Sequence, residues 1–350
     1  MLGYEVLEFP SVSPPKKIIP KGSKWWDLDH YWGRQGYLDD EYVRTLVTSR
    51  TEIIRGLDPD LIISMFNPPA SLVARILNVP LVSFTQSCMH PNGKRVSWWE
   101  EPNEAYERSS IAVNRVLAEH GLPIIDKMED LNKGELTIIA SFPEFDPVSD
   151  PATVYIGPST WDANETSVQS VQHDIPERNS PFIYVYTGHM HDTSGSSGIT
   201  IFKHAIEAFD GSEFEVKIAT GMGQDSVPDL SYGRNVSVRE WMPSSQIKES
   251  RLMIHHGGHG SCMASLVNGI PSLIIPTFSE REFNARQMNA LGVGKWMPPN
   301  KLTPDRLLNM ARNMINDGDL DSKSKQWSAE LDKRNYGGPA LAKKLIMNLL

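Results

Sequence analysis

Between His255 and Pro276 the chain reads HHGGHGSCMASLVNGIPSLIIP, and this run holds the residues best suited to bind an anion. Leu252–His255 is apolar up to its last residue, as a buried strand would be. Gly257, Gly258 and Gly260 follow, the residue type that permits positive φ and close backbone approach to a ligand. From Ser261 to Asn268 the pattern is helical, so the free N–H groups and positive dipole end of that helix would point back into the turn. A histidine at the strand end and a hydroxyl at the helix start add donors for phosphate, and a diphosphate is the natural ligand of such an arrangement. Any one of these glycines alone reads as a tight turn, and a lone histidine as a satisfied core residue. The string is more specific than its parts.

The elements that must position this run alternate between strand-like and helix-like patterns, the signature of an α/β protein with parallel sheets. In the first half, Tyr4–Phe9, Asp60–Ser64, Pro80–Phe84, Leu136–Ala140 and Thr153–Ile156 read as strands, with a crossover helix over Ala70–Leu77. From Trp161 to Pro181 the chain is polar and aperiodic, which suits an interdomain linker. The alternation then restarts. Phe182–Thr187, Glu215–Thr220, Val236–Val238, Leu252–His255 and Ser272–Ile275 read as strands. Ile199–Phe209, Ser261–Asn268, Glu280–Leu291 and Pro304–Asn316 read as helices, with Gly269 as a C-terminal cap and Thr303 as an N-cap. Two such domains in tandem leave a cleft at the C-terminal ends of their strands.

Composition narrows the choice of ligand. The chain has 350 residues, 40% of them hydrophobic, enough for one large domain or two ordinary ones. A net charge of −9 leaves no basic excess to track nucleic-acid phosphates. Cys88 and Cys262 are the two cysteines; they make no disulfide framework, and a cytoplasmic, reducing compartment is the simplest reading. No run approaches the ~18 apolar residues of a membrane span. The aromatic pairs Trp25–Trp26 and Trp98–Trp99 leave a weak membrane-surface contact open, but read first as core or pocket wall.

At this point the sequence resembles a known family, the inverting UDP- or dTDP-sugar glycosyltransferases that modify antibiotics, sterols, lipids and plant metabolites. Their hallmark runs approximately W-x-P-Q, then H-x-G-G-x-G-[ST]-x-x-E-A-L-x-x-G-x-P, then P-x-x-x-D-Q-x-x-N-A. Here stand Trp241 and Pro243; His256, Gly257, Gly258, Gly260 and Ser261; Leu266, Gly269 and Pro271; then Pro276, Asn284 and Ala285, with the spacing kept. The resemblance reaches back through residues 183–188, 155–158 and 59–64. It implies the GT-B architecture: an acceptor-binding Rossmann-like domain over residues 1–160, a linker over 161–180, a nucleotide-sugar-binding Rossmann-like domain over 181–336, and a final helix over 337–350 returning to the first domain. It implies that Trp241 stacks on the base, that His256, Gly258, Gly260 and Ser261 hold the diphosphate with Gly188 and His189 nearby, and that Glu280 and Arg281 meet the sugar hydroxyls. No metal and no cofactor are implied beyond the nucleotide-sugar co-substrate, a UDP- or dTDP-hexose. The partners would be that donor and a lipophilic small-molecule acceptor.

Three departures from the family stand out. Ala264 replaces a glutamate that binds the ribose in many members, and the family's Asp-Gln pair is Glu280-Arg281 here. The third concerns the beginning. The family's first strand and G-H-x-x-P loop, whose histidine is the general base, have no counterpart, because Gly3–Val6 aligns with the G-H-E-V that ends the family's first helix. Its partner aspartate falls near Met65. Either the chain is shortened at its start, the reading favoured here, or it is a degenerate member that binds a nucleotide sugar as an auxiliary partner. A sugar-nucleotide epimerase fits less well, since the Trp241–Pro243 block follows the transferase pattern. His30 and His90 are substitute bases by residue type, though ordinary surface or pocket positions explain them better.

Overall fold

The computed structural model describes residues 5–20, 24–94, 106–159, 182–190, 195–221, 230–242 and 244–350. The linker stretch and the Trp98–Trp99 pair lie outside the described residues.

The first domain opens with α1 (Leu28–Gly33) and α2 (Asp40–Leu57). Asp39 caps α2 by accepting from Glu41 N and Tyr42 N, and Asp58 ends it in the left-handed region. Strand β1 (Ile62–Met65), helix α3 (Pro68–Leu77), strand β2 (Leu81–Phe84), helix α4 (Ser110–Glu119), and strands β3 (Leu136–Ile139) and β4 (Thr153–Tyr155) follow. The four strands form a parallel sheet in the order β1-β2-β3-β4. Residues 5–9 are not a strand, against the sequence expectation. Val6, Leu7 and Phe9 are exposed, so the apolar pattern there has no sheet to join.

The second domain begins with β5 (Phe182–Tyr186), α5 (Ser197–Phe209), β6 (Glu215–Ala219), β7 (Val236–Arg239) and α6 (Ser244–Ile247). It continues with β8 (Ser250–His255), α7 (His259–Asn268), β9 (Ser272–Ile274), α8 (Ser279–Ala290), β10 (Gly294–Trp296) and α9 (Pro304–Ile315). Two further helices, α10 (Gly318–Arg334) and α11 (Gly338–Met347), end the chain. Its six parallel strands run β10-β9-β8-β5-β6-β7, the doubly wound order in which the sheet reverses direction between its first and fourth strands. Phe182 to Val185 are all buried, as a strand covered on both faces requires. Gly269 caps α7 at φ 65°, and Thr303 caps α9 by accepting from Arg306 N.

Helix α11 leaves the second domain. Ala342, Leu341 and Leu345 pack on Val82, Leu136 and Ile138 of the first sheet. The turn before it is fixed by Gly338 N donating to Ile156 O at 2.9 Å. The domains also meet along α8. Trp25 N donates to Ser279 Oγ at 2.8 Å, Gln287 Nε2 to Phe145 O at 2.9 Å, and Phe142 and Phe145 join a core with Cys262, Met263 and Met288. Trp25 is buried against Tyr31 and Phe278, a core residue rather than a membrane-facing one.

Candidate functional site

In a doubly wound sheet the ligand crevice lies where the strand order reverses, outside the carboxyl ends of the strands. Here that point is between β5 and β8, which deliver Gly188 and His256 side by side. A cavity of about 510 Å³ opens there, lined by Tyr186, Gly188, His189, Trp241, His256, Gly258, Gly260, Ser261, Ala264 and Arg281 among others. All the residues assigned from sequence to the nucleotide thus line one space. Of the pair assigned to the sugar, Arg281 lines it. Glu280 is half-buried beside it, its Oε1 accepting from Asn284 Nδ2 at 2.6 Å.

Two glycines make room for His256. A Cβ at Gly188 would sit 2.8 Å from its Nδ1, and one at Gly258 would sit 2.6 Å from its Nε2. Gly188 also has φ +75°, a conformation that side chains other than glycine's adopt only under strain. Burial, reinforced by the charge of Arg281 and by the neighbouring His255 and His189, holds the His256 pKa well below the ordinary imidazole value. Its ring is therefore neutral near pH 7, and its Nδ1 is buried with no hydrogen-bond partner among the described residues.

Helix α7 starts one residue further on. Its N-cap is Gly258, which offers no capping side chain, and Ser261 N and Cys262 N both turn back to Gly258 O. A Cβ at Gly260 would meet nothing within 4 Å, so the first turn of the helix faces open space. An uncapped helix start with a hydroxyl and a neutral imidazole beside it suits the oxygens of a phosphate. Arg281, a cation in the same wall, donates to Thr277 Oγ1.

Several supporting contacts were not read from the sequence. Asn284 Nδ2 also donates to Gly257 O at 2.9 Å, which fixes the glycine turn from below. Ser159 and Tyr184 add to the wall. Asp146 reaches His259 from the first domain. Asp146, Ser159 and Tyr184 lie far from the glycine turn in the chain, and only folding brings them to it.

The histidines weighed as substitute bases are not in this wall. His30 is buried, stacked on Tyr106 with ring centroids 4.5 Å apart, and burial lowers its pKa to about 4. His90 is also buried, and burial lowers its pKa to about 4 as well. Of the surface or pocket positions expected for the two, neither is at the surface: His30 packs inside the first domain, and His90 is a pocket residue. His90 instead lines a second cavity of about 520 Å³ in the first domain, with Cys88, Lys94, Lys127 and Glu129. His90 Nδ1 accepts from Asn92 N, while its Nε2 and Glu129 Oε2 are buried without partners among the described residues.

A six-stranded doubly wound domain, a second parallel-sheet domain and a final helix crossing back define a GT-B fold. The calicheamicin glycosyltransferase CalG4 superimposes with a TM-score of 0.67 at 19% identity, over 90% of this chain and 80% of that one. Residues 210–340 match the family model of the erythromycin biosynthesis protein CIII-like C-terminal domain. The demethyllactenocin mycarosyltransferase of Streptomyces fradiae is 27% identical over 176 residues, half of this chain and 37% of that protein. The NDP-glycosyltransferase YjiC of Bacillus subtilis (strain 168) is 25% identical over 295 residues, 82% of this chain and 72% of that protein. By sequence and by fold, the chain is a homologue of the GT-B glycosyltransferases. No helix among the described residues is long and apolar enough to cross a membrane.

Proposed function

We propose that the chain transfers a hexose from a UDP- or dTDP-sugar to a hydroxyl of a lipophilic small molecule, with inversion. The observation that carries this reading is the cavity between β5 and β8, where an uncapped helix start, His256, Ser261 and Trp241 share one wall. Trp241 offers a flat face to a pyrimidine. The α7 N-terminus, Ser261 Oγ and neutral His256 meet the diphosphate, and they stabilise it most as negative charge builds up on the departing group. Arg281 adds a fixed positive charge at the same wall.

Calorimetry with UDP and dTDP tests the site. Ser261→Ala and His256→Ala should each weaken nucleotide binding by about 1–3 kcal/mol, the range for a hydrogen bond to a charged group. Parent affinity in both variants would remove the assignment. Turnover of a UDP- or dTDP-hexose with a hydroxylated acceptor separates a transferase from an auxiliary protein that only binds the nucleotide.

A further inference from the structure

The glycine turn that faces the donor has little of its own to keep it in place. Three of its residues, Gly257, Gly258 and Gly260, lack side chains, and glycine loses more conformational freedom on ordering than any other residue. A loop that must be ordered at the moment of binding weakens binding by that cost. One side chain of the turn does leave it for the other domain. His259, the first residue of α7, does not line the nucleotide cavity; its Nε2 lies 3.0 Å from Asp146 Oδ2.

Asp146 is itself held rigidly. It is fully buried, its Oδ1 accepts from Ser87 N at 2.9 Å, and its carbonyl accepts from Tyr155 Oη at 2.5 Å. The Phe145 ring meets the His259 ring edge-on at 5.7 Å. Parts of the first domain that lie far apart in the chain thus converge on one imidazole at the start of the phosphate-facing helix. We propose that His259 and Asp146 are a positioning pair, which pins the nucleotide-facing end of α7 to the first domain so that the diphosphate donors are in register only while the two domains are docked. This rests on the nucleotide-site reading above.

The charges around the pair set its pH dependence. The groups facing His259 are Asp146 from the first domain and Glu280 from α8. Burial disfavours the imidazolium, but the hydrogen bond and charge of Asp146, with Glu280 behind it, outweigh burial and raise the pKa above the ordinary value. The thiols of Cys88 and Cys262 sense the same two carboxylates, and burial keeps both protonated. A raised imidazole pKa gives a contribution that is present at lower pH and lost as pH rises through the folded-state value.

The test is dTDP calorimetry from pH 7 to 9, above the ~6 at which a terminal phosphate takes up its second proton. It compares the parent with His259→Gln, Asp146→Asn and Ser261→Ala. Parent affinity should fall about tenfold across the range. His259→Gln and Asp146→Asn should bind about tenfold more weakly at pH 7 and show no slope, and the double variant should be no weaker than either single one. Ser261→Ala should bind weakly with the parent slope. Parent affinity and slope in His259→Gln and Asp146→Asn would overturn the proposal, as would a lowered melting temperature with dTDP affinity unchanged. If instead Ser261→Ala binds like the parent, the nucleotide-site reading itself is what fails. Should Asp146→Asn not fold, His259→Gln alone decides, since it removes the charge and leaves Asp146 in place.

Discussion

The two cavities are built in opposite ways. In the second domain, backbone does most of the work. Two strand ends, a glycine turn and a helix start form the wall, and side chains enter at a few points such as His256, Ser261 and Trp241. In the first domain, side chains make the cavity, with His90 and Lys94 coming from one stretch of chain and Lys127 and Glu129 from another. The backbone-built site takes one ligand geometry, the one its N–H groups point to. The side-chain-built site keeps polar atoms, His90 Nε2 and Glu129 Oε2, buried without partners among the described residues. Such atoms lose free energy unless something with a hydroxyl or amide comes to meet them. Under the proposed function, the second-domain wall would meet a fixed, charged group and the first-domain cavity a hydroxylated one.

The sharpest way to break this comparison is at Gly188. Valine there would be strained at φ +75° and would collide with the His256 ring. The two effects should cost roughly 2–3 kcal/mol, about a hundredfold in dTDP or UDP affinity. A Gly188→Val protein that binds nucleotide with parent affinity in calorimetry would show that the wall is not backbone-determined. Circular dichroism would check that the variant remains folded.

The same contrast explains what the sequence made legible. The glycine turn is contiguous in the chain, and glycine is the residue a close backbone approach demands, so His256, Gly258, Gly260 and Ser261 stand out together. Strands such as Phe182–Tyr186 are equally plain, because a strand covered on both faces is apolar throughout. The segment at residues 5–9 also reads as a strand, with Val6, Leu7 and Phe9 between Glu5 and Glu8, yet it is exposed and forms none. A pattern says what a segment would do beside a sheet, and not whether a sheet is beside it. The cross-domain contacts were illegible for a related reason. His259 and Asp146 are 113 residues apart, and no local rule pairs them. Asn284 sits in a recognisable motif, but its task of holding the Gly257 carbonyl is visible only in three dimensions.

A smaller effect separates the two cavities. If the first-domain space receives the acceptor, His90→Ala and Glu129→Gln should leave nucleotide affinity within about twofold of the parent. Each should lower turnover with a hydroxylated acceptor by about tenfold, the weight of one good hydrogen bond. Paired measurements of dTDP binding and transfer rate check this. Loss of nucleotide binding in either variant would merge the two cavities into one functional unit, and unchanged turnover would remove the acceptor from this space.

The smallest expected effect is at Arg281, where the two kinds of construction meet. It is a side chain, yet it stands in the backbone-built wall, at the position that the family resemblance matches to a glutamine. A guanidinium offers five donors in a rigid fork and a charge that persists at any working pH. Its neighbour Glu280 directs Oε1 to Asn284, and burial raises the Glu280 pKa against the opposing pull of Arg281 and His259. If the guanidinium faces the sugar end of the donor, it should favour a hexose bearing a carboxylate through a bidentate pair. Turnover with UDP-glucuronate and with UDP-glucose, compared between the parent and Arg281→Gln, measures this. The expected change is a fall of about five- to tenfold in the glucuronate-to-glucose ratio, roughly 1 kcal/mol for a partly exposed charged hydrogen bond. If the parent prefers glucose and the substitution leaves the ratio where it was, Arg281 serves the wall of the cavity through Thr277 and does not read the sugar.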